Sequence, residues 1–191
     1  MKKTVFLDRD GVINKDSPDY IKNWGEFEFL PGSVEAIRRL TEKGFDIILI
    51  TNQSGIGRGI IAPNDLEHMH LMMQEKIREA GGKIQDIFFC PHRPDENCEC
   101  RKPRPGLIWH AQKKYGIDLA SAWMIGDSAK DMECAVNAGC GRHILVQTGN
   151  GTEAEKALAE KGIRPTYVEK NLLTAAERII ARSRSSPDSE V

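Results

Sequence analysis

Two acidic side chains near the start of the chain have the type and spacing that phosphate chemistry requires. Asp8 and Asp10 follow a β-branched and aromatic run at residues 4–7, which predicts a buried strand, and Gly11 then lets the backbone turn away. If strand geometry persists as far as Asp10, both carboxylates leave the strand on the same side and repel each other unless a cation or a proton intervenes. One could act as a nucleophile and the other as a proton shuttle. A strand followed by an acidic turn without catalytic function is the alternative.

The composition limits the class of protein. Of the 191 residues, 40% are hydrophobic and 29% are charged, so we expect one globular domain over residues 1–182 and a disordered, Ser- and Pro-rich tail over residues 183–191. The formal net charge of −1 argues against a nucleic-acid or anionic-membrane partner. No apolar run approaches the roughly 20 residues that span a bilayer, and no secretory segment is recognisable. The sequence therefore predicts a cytoplasmic protein without a membrane partner, and nothing in it requires more than a monomer.

Strand and helix patterns alternate along the chain. Strand patterns occur at residues 4–7, 45–50, 84–90, 122–125 and 143–147, and helix patterns at 31–43, 63–80, 107–115, 129–138, 153–161 and 172–182. This alternation predicts an α/β fold, a three-layer Rossmann-like parallel sheet with helices on both faces. Residues 13–29 form a polar loop, here called the flap, beside the end of the first strand. Ligands of such folds bind at the carboxyl ends of the strands.

A polar insert after the third strand carries four potential metal ligands. Cys90 and His92 form one pair, Cys98 and Cys100 form another, and a five-residue loop separates the two pairs. Five cysteines in a chain predicted to be cytoplasmic indicate metal binding or free thiols rather than disulfides. Because the protein supplies all four ligands, we expect structural rather than catalytic Zn²⁺ in a short loop at about residues 90–104.

Further polar residues follow the other predicted strands. Thr51 begins a glycine-rich segment at residues 51–59, and Lys102 lies in a basic run directly after the zinc ligands. Asp127 follows the fourth strand, and a helix start would put Asp131 on the same face. Parallel strands would bring these side chains to one edge of the sheet together with the two N-terminal acids. That convergence is more specific than any one of the motifs.

These residues match the signature of the haloacid dehalogenase-like phosphatases, which the chain resembles from residue 4 to about residue 147. The four motifs of that superfamily correspond to Asp8-x-Asp10-Gly-Val, Thr51, Lys102 and Gly126-Asp127-x-x-x-Asp131. The resemblance implies that Asp8 is the nucleophile and that Asp10 is the acid and base. It also implies that Thr51 and Lys102 hold the phosphoryl oxygens.

The same resemblance implies a catalytic Mg²⁺ bound by Asp8, the backbone carbonyl of Asp10, and Asp127. Asp131 would orient Lys102 or a metal-bound water without touching substrate. The zinc loop stands where larger members carry a cap domain, so no large cap domain is expected.

The zinc loop narrows the resemblance to a subgroup that contains heptose bisphosphate phosphatases and histidinol-phosphate phosphatases. Residues 51–59, TNQSGIGRG, are similar to the heptose branch, chiefly through Ser54 and Arg58. Arginine suits the second, non-reacting phosphate of a sugar bisphosphate, and Arg58 and Arg101 are candidates to bind it. The full set of expected substrate contacts is Asp16, Asp19, Thr51, Asn52, Gln53, Ser54, Arg58, Arg101 and Lys102. The alternatives are a histidinol-phosphate phosphatase, a nucleic-acid 3′-phosphatase and a non-catalytic phosphosugar-binding protein; the sequence does not indicate which heptose anomer is preferred.

Overall fold

The computed structural model describes residues 3–184, and its centre is a six-stranded parallel sheet. The strands are β1 (Lys3–Leu7), β2 (Phe45–Asn52), β3 (Asp86–Cys90), β4 (Trp123–Gly126), β5 (Arg142–Val146) and β6 (Tyr167–Glu169). Their spatial order is β3-β2-β1-β4-β5-β6, with parallel pairing throughout. The strand order reverses at β1, so the crevice beside its carboxyl end is where ligands bind in open α/β sheets.

Helices cover both faces of the sheet. They are α1 (Ser33–Glu42), α2 (Pro63–Glu79), α3 (Gly106–Tyr115), α4 (Ala129–Ala138), α5 (Gly151–Glu160) and α6 (Leu172–Arg184). Successive residues of β1 point to opposite faces: Val5 and Leu7 pack in a core with α1, α2 and α6, whereas Phe6 packs with α3 and α4. This arrangement confirms the predicted three-layer α/β fold. Within residues 3–184, no helix combines the length and the apolar character needed to cross a membrane.

The structure differs from the sequence-based expectation at several element ends. Strand β6 was not predicted, because three residues beside Pro165 carry too little pattern to stand out, yet Val168 pairs with Leu145 of β5. Helix α6 continues through Ser183 and Arg184, which the sequence assigned to the disordered tail, so that boundary was wrong by two residues. The rest of the expected tail, residues 185–191, lies outside the described residues.

The flap is held by its own contacts. Lys15 N–H donates to the Glu28 carbonyl at 2.9 Å, and Leu30 N–H donates to the Ile13 carbonyl at 2.9 Å, so the two ends of the flap pair. The rings of Trp24 and Phe27 stack with their centres 5.0 Å apart, and the ring of Phe29 packs edge-on against both. The flap therefore has a small apolar core that holds it beside the carboxyl end of β1.

Candidate active site

The carboxyl ends of three adjacent strands form the floor of one cavity. Asp8 follows β1 directly, and its backbone N–H donates to the Ile125 carbonyl of β4 at 3.0 Å. Thr51 lies at the end of β2 and Asp127 directly follows β4. The cavity above them has a volume of about 430 Å³. Of the sequence-predicted residues, those that line it are Asp8, Asp10, Asp16, Thr51, Asn52, Gln53, Arg101, Lys102 and Asp127.

Three carboxylates and one lysine form what we call the acid cluster: Asp8, Asp127, Asp131 and Lys102. One oxygen from each carboxylate lies within 4.8 Å of the others. The Lys102 Nζ atom is 2.9 Å from Asp8 Oδ1 and 2.6 Å from Asp131 Oδ1, and the lysine side chain is 2% exposed. An ammonium has three N–H donors, so these two contacts leave one for another acceptor. Three acids facing one lysine leave two negative charges uncompensated, which suits a divalent cation.

The charges of the acid cluster displace its pKa values. Burial raises the pKa of Asp8 well above its usual value, Lys102 opposes this, and Asp131 and Asp127 reinforce it. Burial and Asp131 also raise the pKa of Asp127, to about 7. Burial works against the ammonium form of Lys102, but Asp131 and Asp8 outweigh it and keep the pKa of that group above its ordinary value. The lysine therefore stays charged at the base of the cavity.

Asp127 and Asp131 are held in place by backbone groups. Asp127 Oδ2 accepts the Asn150 N–H at 2.8 Å. Asp131 Oδ2 accepts the Ser128 N–H at 3.0 Å and its hydroxyl at 2.6 Å, in a capping box at the start of α4. Gly11 has φ +77°, and a Cβ there would collide with the Asp127 carboxylate. The glycine is therefore needed both for its turn and for this close approach.

Asp10 lies in a separate group that we call the arginine network: Arg9, Asp10, Asn14, Gln53 and His70. Strand β1 ends before Asp10, and a tight turn follows in which the Gly11 N–H donates to the Asn14 carbonyl at 2.8 Å. The Arg9 guanidinium is 1% exposed, and its Nη2 donates to Asp10 Oδ1 at 2.8 Å. Asp10 therefore has a cation of its own, supplied by the residue between the two acids.

The arginine network pairs one guanidinium with one carboxylate, so its formal charge is balanced. Asp10 accepts further hydrogen bonds from Asn14 Nδ2 at 2.9 Å and from Gln53 Nε2 at 2.8 Å. Burial alone would raise the pKa of Asp10, but Arg9 and these hydrogen bonds outweigh it and lower that pKa. Arg9 Nη1 lies 3.3 Å from Nε2 of His70, and burial together with Arg9 lowers the pKa of His70 to about 3. The imidazole is therefore neutral and accepts at Nε2.

The expected zinc ligands form a compact cluster. The Cys90 and Cys98 Sγ atoms are 3.5 Å apart, Cys98 and Cys100 Sγ are 3.4 Å apart, and His92 Nδ1 is 3.2 Å from Cys100 Sγ. A tetrahedral zinc with ordinary bond lengths has ligand–ligand edges of about 3.5–3.8 Å. The distances between these donors equal that range or fall a few tenths of an ångström below it, so a slight expansion would accommodate a zinc ion. Burial raises the pKa of the Cys90 thiol to about 12, and a bound cation would reverse that shift.

Known proteins resemble this chain over almost its whole length. A family model described as HAD-hydrolase-like matches residues 99–175. The D-glycero-β-D-manno-heptose-1,7-bisphosphate 7-phosphatase of Bordetella bronchiseptica is 42% identical over 179 residues, which cover 93% of this chain and 98% of that protein. The crystal structure of D,D-heptose 1,7-bisphosphate phosphatase from B. bronchiseptica, complexed with magnesium and phosphate, superposes with a TM-score of 0.89 at 42% identity and covers 95% of this chain and 99% of its own. The chain belongs to the heptose 1,7-bisphosphate 7-phosphatase family. The α-anomer enzyme of Photorhabdus laumondii is also similar, at 40% identity over 157 residues, covering 78% of this chain and 85% of that protein.

Membership of this heptose bisphosphate phosphatase family confirms the resemblance drawn from the four motifs. The individual site residues stay predictions, and the structure divides the expected substrate contacts into two groups. Arg101 and Asp16 line the cavity, whereas Asp19, Ser54 and Arg58 are not among the described residues that line it. The Ser54 hydroxyl instead lies 3.5 Å from the Tyr20 hydroxyl.

The amides of Asn52 and Gln53 are engaged by the protein itself. Asn52 Oδ1 accepts the Lys102 N–H at 3.1 Å, and its Nδ2 donates to the Lys102 carbonyl at 3.2 Å. Gln53 Nε2 contacts both Asp10 Oδ2 and the Thr51 hydroxyl, while its Oε1 accepts from Arg9 at 3.2 Å. The two amides therefore connect the end of β2 to the acid cluster and to the arginine network.

Several residues at this family site were missed from the sequence. Arg9 was passed over because it separates two acids that attract attention, and His70 because a lone histidine in a helix resembles core packing. Asn150 lies in the short loop between β5 and α5, which carries no acidic motif. A search for cations and amides next to the motif acids would have found Arg9.

Proposed function

We propose that the protein is a Mg²⁺-dependent phosphatase that removes the 7-phosphate of D-glycero-D-manno-heptose 1,7-bisphosphate through an aspartyl-phosphate intermediate. The observation that carries this proposal is Asp8 at the base of the cavity, with Lys102 2.9 Å away and an excess of two acids around it. The named relatives act on this sugar bisphosphate. The product would supply nucleotide-activated heptose for lipopolysaccharide core or related glycans. We propose that the enzyme acts as a cytoplasmic monomer.

The reaction divides into two displacements on phosphorus. Asp8 Oδ forms a bond to phosphorus as the bond to the sugar O7 breaks, and Asp10 gives its proton to the departing oxygen. Water then attacks the phosphorus of the aspartyl phosphate, Asp10 takes a proton from that water, and inorganic phosphate leaves with Asp8 restored. Thr51 and Lys102 hold the phosphoryl oxygens, where charge develops during each displacement.

The pKa of Asp10 in the free protein suits the second displacement, in which Asp10 accepts a proton. The first displacement requires the pKa values of Asp10 and Asp8 to change when substrate and metal bind. The low pKa of Asp10 leaves it ionised, which is the form that accepts a proton from water. A phosphate dianion placed beside Asp10 raises that pKa, so substrate binding favours the protonated form needed by the leaving oxygen. The raised pKa of Asp8 must fall before Asp8 can attack, and a divalent cation in the acid cluster lowers it.

The acid cluster fits Mg²⁺ by its donor set. Asp8, Asp127 and the Asp10 backbone carbonyl would hold the ion, whose charge neutralises phosphate repulsion and the Asp8 carboxylate. Asp131 faces Lys102 at 2.6 Å and is anchored by Ser128, so its role in this proposal is to orient the lysine.

The non-reacting phosphate is assigned to the cations at the rim of the cavity. Arg101 lines the cavity, and its Nη1 also donates to the His92 carbonyl at 3.2 Å, which ties it to the zinc loop. Lys130 adds a second cation to the lining. Arg58 is exposed outside that lining, so we favour Arg101 for this phosphate. Asp16 is the flap residue best situated for sugar hydroxyls.

We propose Zn²⁺ as a structural ion held by Cys90, His92, Cys98 and Cys100. The cluster is bonded to the active-site loop: Gln53 N–H donates to the Cys90 carbonyl at 2.7 Å, and Gly57 N–H donates to the Pro91 carbonyl at 2.9 Å. Protein purified without chelator should contain about one zinc per chain by elemental analysis, and Cys98→Ser should lower that content. Zinc-free wild-type protein, or a Cys98→Ser variant with unchanged zinc, would contradict the assignment.

Initial rates of phosphate release test the substrate. With Mg²⁺ present, we would compare the α and β anomers of heptose 1,7-bisphosphate with histidinol phosphate. A large kcat/KM advantage for either heptose anomer is the expected result and names the preferred anomer. A preference for histidinol phosphate would reject the heptose substrate while leaving the phosphatase chemistry intact. Absence of phosphate release from every phosphomonoester would instead favour a phosphosugar-binding protein.

A further inference from the structure

Arg9 makes contacts that the reaction described above does not use. Its guanidinium is 1% exposed and touches three side chains: Nη2 lies 2.8 Å from Asp10 Oδ1 and 3.2 Å from Gln53 Oε1, and Nη1 lies 3.3 Å from His70 Nε2. Each of these contacts restrains one edge of a planar, five-donor group. A buried guanidinium fixed in this way can hold a carboxylate in a single orientation.

The contacts to Asp10 leave its two oxygens in different environments. Asp10 Oδ1 accepts from Arg9 Nε, Arg9 Nη2 and Asn14 Nδ2, whereas Oδ2 accepts from Arg9 Nη2 at 3.0 Å and from Gln53 Nε2. Oδ2 therefore has the fewer donors and is the oxygen with room for a proton. The orientation of the carboxylate determines whether that proton faces the leaving oxygen.

His70 restrains the Arg9 guanidinium at its Nη1 atom. It lies on α2 and is 7% exposed, and its ring packs edge-on against Phe89 of β3 at 5.9 Å between ring centres. A guanidinium can only donate, so Nε2 must accept and the proton of the neutral ring is on Nδ1. His70 Nε2 therefore serves as an acceptor that holds Arg9.

We propose that His70 and Arg9 are positioning residues that orient the Asp10 carboxyl toward the leaving oxygen. The inference rests on the proposed function only for the role of Asp10 as acid. In the step concerned, Asp8 bonds to phosphorus, the phosphorus–oxygen bond to the alcohol breaks, and the proton moves from Asp10 Oδ2 to that oxygen. A misdirected Asp10 should slow the departure of a poor leaving group and hardly affect a good one.

The test compares an alkyl with an aryl phosphate in variants at position 70. The alcohol of β-glycerol phosphate must be protonated as it leaves, whereas the nitrophenolate of p-nitrophenyl phosphate needs no proton. For His70→Phe, we expect kcat/KM for the alkyl phosphate to fall at least about 10-fold, a fraction of the 10²–10⁴ that general acid catalysis contributes. The value for the aryl phosphate should change less than about threefold.

Two further variants distinguish positioning from a structural role. His70→Gln keeps an acceptor at about the distance of Nε2 and should recover most of the alkyl activity. His70→Asn is polar but too short to reach Arg9, so it should show the same selective loss on the alkyl phosphate. This variant keeps the test valid if His70→Phe does not fold. His68→Asn is the matched control, because His68 is exposed on the same helix.

Equal losses on the alkyl and aryl phosphates, or indistinguishable Gln and Asn variants, would overturn the proposal. The ratio of the two activities does not depend on which sugar is the natural substrate. A wild type that prefers histidinol phosphate would therefore reject the heptose assignment and leave this test valid. A wild type without activity on any alkyl phosphate would overturn both.

Discussion

The acid cluster and the arginine network lie side by side at the ends of β1 and β2, yet they solve the burial of charge in opposite ways. In the acid cluster, Asp8, Asp127 and Asp131 share one cation, Lys102, and burial raises the pKa values of Asp8 and Asp127. In the arginine network, one carboxylate faces one guanidinium and neutral partners. The first group is electrostatically incomplete without a further cation, and the second is complete.

This difference assigns a task to each group. Buried carboxylates in excess of their cations bind a divalent ion and lower the cost of bringing an anionic phosphate close. A network whose positive and negative charges are equal does not attract a further ion, but its hydrogen bonds fix the direction of a side chain. Asp8 and Asp10 are only two residues apart, so the proposed metal-binding group and the proposed positioning group are joined by a single turn of the chain.

The largest effect is expected from Asp8, the proposed nucleophile in the acid cluster. Asp8→Asn keeps the volume of the side chain but removes the attacking oxygen, so kcat should fall by at least about 10³-fold while the fold is retained. Phosphate release and far-UV circular dichroism measure the two properties. Asp65→Asn, an exposed change on α2, is the matched control. Activity comparable to wild type would reject Asp8 as the nucleophile.

Magnesium should stabilise the folded protein by compensating the excess negative charge of the acid cluster. At 100 times its Kd, Mg²⁺ should add about 2.7 kcal/mol to the free energy of unfolding, measured as a rise in Tm. Asp127→Asn removes one of the excess charges and should abolish most of that rise. A rise of equal size in the variant would show that the ion binds elsewhere.

The same measurement has a predicted pH dependence. The folded-state pKa of Asp127 is raised to about 7 from the usual 3.8, so between these pH values the folded protein binds more protons than the unfolded chain. Without metal, stability should therefore fall as pH rises from about 4 to 7, by an amount on the order of a few kcal/mol. Because Mg²⁺ binds the ionised form, the rise in Tm that it produces should be larger at pH 8 than at pH 6. A rise independent of pH would contradict the assignment of Asp127 as a ligand.

The sequence predicted the acid cluster better than the arginine network, and the reason is physical. Asp8, Thr51 and Asp127 follow strands, and parallel strands bring their carboxyl ends to one edge whatever their exact bounds. Arg9, Asn14 and His70 meet only because a turn after β1 directs Arg9 inward against α2, and no periodicity encodes that contact. The three-residue strand β6 was missed for a similar reason, since its pairing with β5 determines its conformation.

The amides of the TNQ segment illustrate a different limit. The resemblance of residues 51–59 to the heptose enzymes predicted that Asn52 and Gln53 would bind the substrate, and both line the cavity. Their hydrogen bonds to Lys102 and Asp10, however, depend on the course of the zinc loop and of the turn after β1. A side-chain amide can form hydrogen bonds with a ligand or with the protein's own groups equally well. Only the folded structure shows which of these partners it has.

A smaller loss of activity is expected when Lys102 keeps its charge but loses the hydrogen bonds that hold its backbone. Asn52→Ala removes two hydrogen bonds to the Lys102 backbone, so we expect roughly a 10-fold loss in kcat and about 1–2 kcal/mol of stability. Asn137→Ala is the matched control. The exposed Asn137 donates from Nδ2 at 3.0 Å to the carbonyl of Pro103, the residue that follows Lys102. A loss confined to KM would indicate that Asn52 acts by binding the substrate, as the family resemblance predicted.

The smallest effect is expected at Ser128, which anchors Asp131 from the side opposite Lys102. Ser128→Ala removes the hydroxyl that donates to Asp131 Oδ2 at 2.6 Å, but the backbone N–H at 3.0 Å and the contact to Lys102 remain. Loss of such a helix cap costs about 1 kcal/mol, or roughly 2–4 °C in Tm for a chain of this size. The kcat value should change less than about threefold, because Lys102 continues to be held by Asp8 and Asp131.

Asn171→Ala is the matched control. It removes the side-chain acceptor of the Thr174 N–H at the start of α6, so it should lower Tm similarly and leave kcat unchanged. A loss in kcat as large as that of Asn52→Ala would mean that the cap, rather than the ion pair, sets the position of Asp131.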